Sequence, residues 1–119
     1  MLNTLVIGAS INPERYSFKA ITMLRAHNQP VLAFGPKAGV VSDIPITNEW
    51  DSQWEVDTVT LYLNPQRQEA YYDQIIALQP RRVIFNPGTE NNVFSKQLSA
   101  HGIASEIACT LVLLSIGNY

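Results

Sequence analysis

Three stretches of this chain, TLVIG at 4–8, DTVTLYL at 57–63 and RVIFN at 82–86, are strand-length runs dominated by apolar and β-branched residues. A sheet with one wet face would alternate apolar and polar residues along its strands. Near-continuous runs belong to parallel strands covered on both faces. Parallel neighbours cannot be joined by a tight turn, so helices must carry the chain back. The segments between the runs have that character. A helix is predicted from Ser17, as its N-cap, to Asn28, with Ala20, Ile21 and Leu24 at helical spacing. VLAFG at 31–35 is a further strand, and Ile44–Ile46 a weak strand or turn. Asn64 caps a second helix with Pro65 in its first position, Tyr71, Ile75 and Leu78 on its apolar face, and Pro80 at its end. A third helix runs from about Glu90 to His101, Gly102–Glu106 is a short strand, and a last apolar helix begins near Cys109. This order predicts one α/β domain over residues 1–119, Rossmann-like and doubly wound. Its sheet is expected to be mostly parallel, five- or six-stranded, with helices on both faces.

Composition excludes several classes. A net charge of -2 argues against general affinity for nucleic acid or an anionic membrane surface. No apolar run approaches the ~20 residues of a membrane span, and nothing at the N-terminus has the form of a signal peptide. The single cysteine, Cys109, has no internal partner. A cytoplasmic location is therefore expected. The charges are unevenly placed. Arg15, Lys19, Arg25 and Lys37 face only Glu14 in the first 42 residues, while residues 43–73 carry seven acids against Arg67 alone. That asymmetry is either chance in a short chain or the mark of a local anion site, since a cleft of one sign concentrates charged ligands.

In an open α/β sheet, ligands bind beyond the carboxyl ends of the strands. The loops there are GASINPERYS (8–17), GPKAG (35–39), NPQRQ (64–68) and NPGTEN (86–91). The first lacks the dinucleotide fingerprint: Ser10 and Pro13 stand where its second and third glycines belong, and only Gly8 remains. Ser10 and Ser17 offer hydroxyls, and the following helix offers its N-terminal dipole to an anion. Arg15 and Lys19 sit at that helix start, where a cation is unfavourable unless an anion binds. NAD-binding domains place an acid at the end of the second strand to hold the ribose. Here Gly35, Pro36 and Lys37 occupy that place, and a lysine suits a phosphorylated ribose. NADP and coenzyme A both carry one.

The stretches GASINPERYSFKA (8–20), FGPKAG (34–39), VDTVTLYLNP (56–65), RRVIFNPGTEN (81–91) and GIASEIACTLVLL (102–114) together resemble the small stand-alone coenzyme A-binding proteins. These are single Rossmann domains similar to the N-terminal domain of the succinyl-CoA synthetase alpha subunit. The resemblance implies that Gly8, Ala9 and Ser10 line the pyrophosphate, with Asn12, Arg15 and Ser17 nearby. It implies Lys37 at the 3′-phosphate and Leu63 and Pro65 beside the adenine or the pantetheine arm. Asn86, Pro87, Gly88 and Glu90 would form the far wall where that arm exits. The synthetase reaction also needs a second domain with a phosphorylatable histidine. His27 and His101 fall at predicted helix C-termini, where histidine complements the dipole.

No catalytic set stands out. Cys109 begins an apolar helix, where a dipole can lower a thiol pKa, yet a buried inert thiol is the commoner case. Asp57 opens its strand at the end opposite the loops, and Tyr62, Tyr71 and Tyr72 read as packing residues. No metal-ligand spacing occurs. The expectation is a non-catalytic binder of coenzyme A or an acyl-CoA, serving as sensor, carrier or accessory subunit. The alternatives are an NADP-binding redox enzyme or sensor, and an interaction module with a vestigial pocket. Trp50 and Trp54 either pack under their loop or mark a partner surface, and the apolar C-terminal helix is a possible homodimer face.

Overall fold

A computed structural model describes residues 2–119. The strands are β1 (Thr4–Ile7), β2 (Val31–Phe34), β3 (Gly39–Val41), β4 (Ile44–Thr47), β5 (Thr58–Leu61), β6 (Arg82–Phe85) and β7 (Ala104–Ile107). They form one sheet in the order β3-β4-β2-β1-β5-β6-β7. Every neighbouring pair is parallel except β3 with β4. The sheet is wider than the five or six strands expected, because β3 folds back on β4 through a two-residue turn at Ser42 and Asp43. Ser42 takes φ 57 there, and nothing in GVVSD signals so short a hairpin.

β1 and β5 are buried along their whole length, as strands covered on both faces must be. Over one face lie α1 (Tyr16–Ala26) and α5 (Thr110–Ser115), enclosing Val6, Ala9, Ile21, Leu24 and Leu114. Over the other lie α2 (Pro65–Gln68), α3 (Tyr72–Leu78) and α4 (Asn92–Ala100), enclosing Leu5, Ile7, Leu61, Ile75, Phe85 and Phe94. The chain turns one way out of β1 and the other way out of β5, so the two diverge at the carboxyl edge. That divergence opens the crevice where such sheets hold ligands.

Several boundaries differ from expectation. Arg15, not Ser17, is the N-cap of α1, and it makes no side-chain capping bond. Ser17 lies inside the first turn and is 3% exposed. The second helix is interrupted: a 3-10 turn at Glu69–Tyr71 separates α2 from α3. The break turns adjacent tyrosines toward different neighbours. Tyr71 packs against Phe34 and Trp50, while Tyr72 stacks on Phe94 with centroids 4.3 Å apart. Trp50 and Trp54 are half-buried and pack on Phe34, the first of the two readings offered for them. No helix among the described residues is long and apolar enough to cross a membrane.

Candidate functional site

The carboxyl edge of the sheet carries a groove of about 490 Å³ between the β1–α1 loop, the loops after β2 and β5, and the loop after β6. It adjoins a second cavity of about 630 Å³, and Gly8, Pro36, Leu63 and Arg67 line both. Volumes of this size are typical of small-molecule sites.

Two glycines make the floor possible. Gly8 sits at φ +92, where an added Cβ would press on the backbone of Tyr62 at 3.0 Å. A Cβ on Gly35 would overlap the Ala9 carbonyl oxygen, so β2 approaches the first loop this closely only with glycine there. The approach also uses up donors: the N–H groups of Gly8 and Ala9 both bond the Phe34 carbonyl, at 2.9 and 3.0 Å. The amides of the first turn of α1 have no side-chain cap, and Arg15, Tyr16 and Ser17 line the groove beside them. An uncapped helix start facing a groove is where an anion is favoured.

Three cations converge on this space, Arg15, Lys37 and Arg67, and no acid lines either cavity. Among the described residues the ion pairs are Arg25–Asp43, Arg81–Asp57 and Arg82–Glu106. The latter two sit at the amino end of β5 and β6. Arg25, counted among the basic first third of the sequence, is therefore spent on Asp43 away from the groove, while the three groove cations are left unpaired.

Of the expected site residues, Gly8, Ala9, Ser10, Arg15, Ser17, Pro36, Lys37, Leu63, Pro87 and Gly88 line the groove, and Gly35 lines the second cavity. Five lie outside both linings, each for a visible reason. Asn12 is exposed and accepts from the Glu14 amide. Lys19 projects over the Tyr16 ring, 5.2 Å from its centroid. Pro65 starts α2, whose Arg67 amide is capped by Asn64. Glu90 accepts from the Gly88 amide at 2.8 Å, fixing the turn rather than facing the ligand space. Asn86 is a correction of a different kind: it is 2% exposed and fully engaged. Its Nδ2 donates to Thr60 Oγ1 and the Leu61 carbonyl, and its Oδ1 accepts from the Thr110 amide at the start of α5. It clamps α5 to the sheet behind the far wall.

Sequence reasoning missed other parts. Arg67 was legible as the one base in the loop after β5. Gln68 gave no signal, yet it is 0% exposed and donates to the carbonyls of Leu63 and Thr89, at 2.9 and 2.8 Å. Leu63 and Thr89 both line the groove, so one buried amide ties its two inner lips together. Asn91 donates to both Gln68 and the Tyr72 hydroxyl. Tyr62 lines the groove on one side, while its buried hydroxyl lies beside the Thr60 and Thr110 hydroxyls without a well-formed hydrogen bond among the described residues. Burial pushes that phenol up to about 12. Cys109 is half-buried rather than sealed in the core, as N-cap of α5 near Tyr62. The ring Nδ1 atoms of His27 and His101 donate to carbonyls one turn back in their own helices. Both therefore serve helix ends, as their positions in the sequence implied.

The donor set fits a polyphosphorylated nucleotide: unpaired cations, an open helix start, serine hydroxyls and an aromatic second cavity floored by Phe34 and Tyr71. Among solved structures, an uncharacterized protein is 45% identical with a TM-score of 0.95, the match covering 100% of this chain and 98% of that one. A Thermus thermophilus protein designated cell-free ID.343 is 21% identical with a TM-score of 0.88, covering 99% and 90%. The Thermotoga maritima aspartate dehydrogenase is 16% identical with a TM-score of 0.57, and this chain spans 52% of it. The latter two likenesses establish the fold alone. No curated protein matches the sequence. A family model described as a CoA binding domain matches residues 3–115, and the chain belongs to that CoA-binding domain family.

Proposed function

We propose that this protein binds coenzyme A, free or acylated, along the groove and performs no chemistry of its own on it. The carrying observation is the acid-free groove with three unpaired cations at an uncapped helix start, in a member of the CoA-binding family. Coenzyme A brings about four negative charges, split between a diphosphate and a 3′-phosphate. The start of α1 and Arg15 suit the diphosphate, and Lys37 suits the 3′-phosphate. Pro87 and Gly88 form the wall along which the pantetheine arm leaves. The reading without catalysis is supported by a lining in which Ser10, Ser17, Lys37 and Tyr62 have no carboxylate, imidazole or thiol among them to activate them. Such binding suits a sensor, carrier or accessory subunit.

Lys37 serves an NADP 2′-phosphate as readily as a CoA 3′-phosphate, so the test includes both ligands. Thermal unfolding of ligand-stripped protein is followed with CoA, dephospho-CoA, acetyl-CoA, NADP and NAD. Ligand at about 100-fold over Kd adds roughly 2.7 kcal/mol, a shift of several degrees for a domain of this size. A shift with CoA that shrinks with dephospho-CoA, and shrinks likewise in Lys37→Ala, supports the proposal. A shift with NADP alone refutes it.

A further inference from the structure

We infer that Arg67 is a second specificity-determining cation, closing a two-sided clamp with Lys37 on a phosphomonoester of the ligand. The inference rests on the nucleotide reading of the groove. It adds a residue from α2 whose role the family resemblance does not supply.

The eight cations of the chain fall into distinct groups. Arg25, Arg81 and Arg82 hold carboxylates, Lys19 lies over Tyr16, and Lys96 sits on α4 away from the groove. Arg15, Lys37 and Arg67 remain, unpaired, on one acid-free surface. Arg15 stands at the start of α1. Lys37 comes from the loop after β2 and Arg67 from α2, which follows β5, and β2 and β5 flank β1 on either side. Of the three, only Arg67 lines both cavities, at the junction it shares with Gly8, Pro36 and Leu63.

A branched ligand needs its branch point where two cavities meet. In a 3′-phosphorylated nucleotide the ribose carries three arms: a base, a 5′-diphosphate and a phosphomonoester. With the diphosphate toward the start of α1 and the base toward the aromatic cavity, the monoester is left between Lys37 and Arg67. A phosphomonoester is close to a dianion at neutral pH, so a single lysine leaves charge unmatched. Arginine supplies a planar fork that bonds two phosphate oxygens at once. The Arg67 side chain is exposed and forms no ion pair among the described residues, so its guanidinium is free to meet a ligand.

Calorimetric titration of wild type, Lys37→Ala, Arg67→Ala, Arg67→Lys and the double alanine variant tests this with two ligand pairs. One pair is CoA and dephospho-CoA; the other is adenosine 3′,5′-bisphosphate and adenosine 5′-monophosphate. Arg67→Ala is expected to weaken both 3′-phosphorylated ligands by about tenfold or more, while their partners change less than about twofold. Arg67→Lys is expected to recover part of the loss. The double variant is expected to depart from the product of the single losses, as two groups coupled through one phosphate do. Equal weakening within each pair, or no change, overturns the clamp while leaving CoA binding intact. Preference for the bisphosphate that vanishes in Arg67→Ala, without binding of CoA, upholds the clamp and refutes the CoA reading. Absence of binding in both pairs refutes both.

Discussion

Replacing Asn86 by alanine separates a clamp from a ligand contact. Three hydrogen bonds disappear, at 2.7, 2.9 and 2.9 Å, all in a buried setting. Thr60 keeps its bond to the Thr110 hydroxyl. The Thr110 amide keeps nothing, because the first amides of a helix have no partner within it. A buried donor left unpaired costs about 1–3 kcal/mol. The space vacated by the amide adds a cavity cost, so the sum is about 3 kcal/mol. At roughly 4 °C per kcal/mol for a domain of this length, Tm falls by about 12 °C. The assay is thermal and urea unfolding of ligand-free protein followed by circular dichroism, with the exposed neighbour Asn92→Ala as control. A midpoint within about 2 °C of the parent would refute the clamp. Loss of the CoA-induced shift with ligand-free stability intact would restore Asn86 to the ligand wall.

The remaining predictions concern titrating groups. Tyr62→Phe removes a buried hydroxyl that makes no well-formed hydrogen bond among the described residues, so stability is expected to hold or rise by up to about 1 kcal/mol; a clear loss in urea unfolding would show that the neighbouring Thr60 and Thr110 hydroxyls bond it. Burial also holds the Tyr62 phenol up at about 12, above its unfolded value. Its contribution is present below about pH 10 and fades as pH rises toward 12, so the wild type should lose more stability than Tyr62→Phe over that interval. Asp57 has the opposite sign, since its hydrogen bonds with Arg81, and then Thr58, hold its carboxyl below the ordinary range. Its contribution is present above about pH 4 and is lost as pH falls through the folded value. Because Arg81 is 62% exposed, Arg81→Gln should remove no more than about 1 kcal/mol at pH 7, and progressively less as pH falls through the folded value of Asp57. An unchanged acid limb in that variant would refute the pairing.

The layered sheet was legible because burial on both faces leaves its mark on every residue of a strand, as in TLVI and TVTL. The loops of the site were legible because turns at the carboxyl edge need Gly, Pro and Asn. Their lining followed for Gly8, Ser10, Arg15 and Lys37, whose roles depend on local backbone and charge. What escaped depends on partners far along the chain. Asn86 was placed on the ligand wall by the resemblance alone, and only the return of α5 shows where its amide is used. Gln68 looked like any polar residue of a surface helix, and its burial appears only once the loop after β6 folds over it. The hairpin of β3 was hidden for a related reason, since three residues carry too little periodicity to mark a strand.

The bond from Gln68 to both Leu63 and Thr89 has a mechanical consequence. Those two lips are braced from behind and move as one body, like the fixed jaw of a vice. The opposing jaw is the turn at 36–38, whose residues are exposed and which is seated mainly by Ile11 over Gly39. A ligand entering between them finds one side already in place, so the entropy of ordering falls on the turn that carries Lys37.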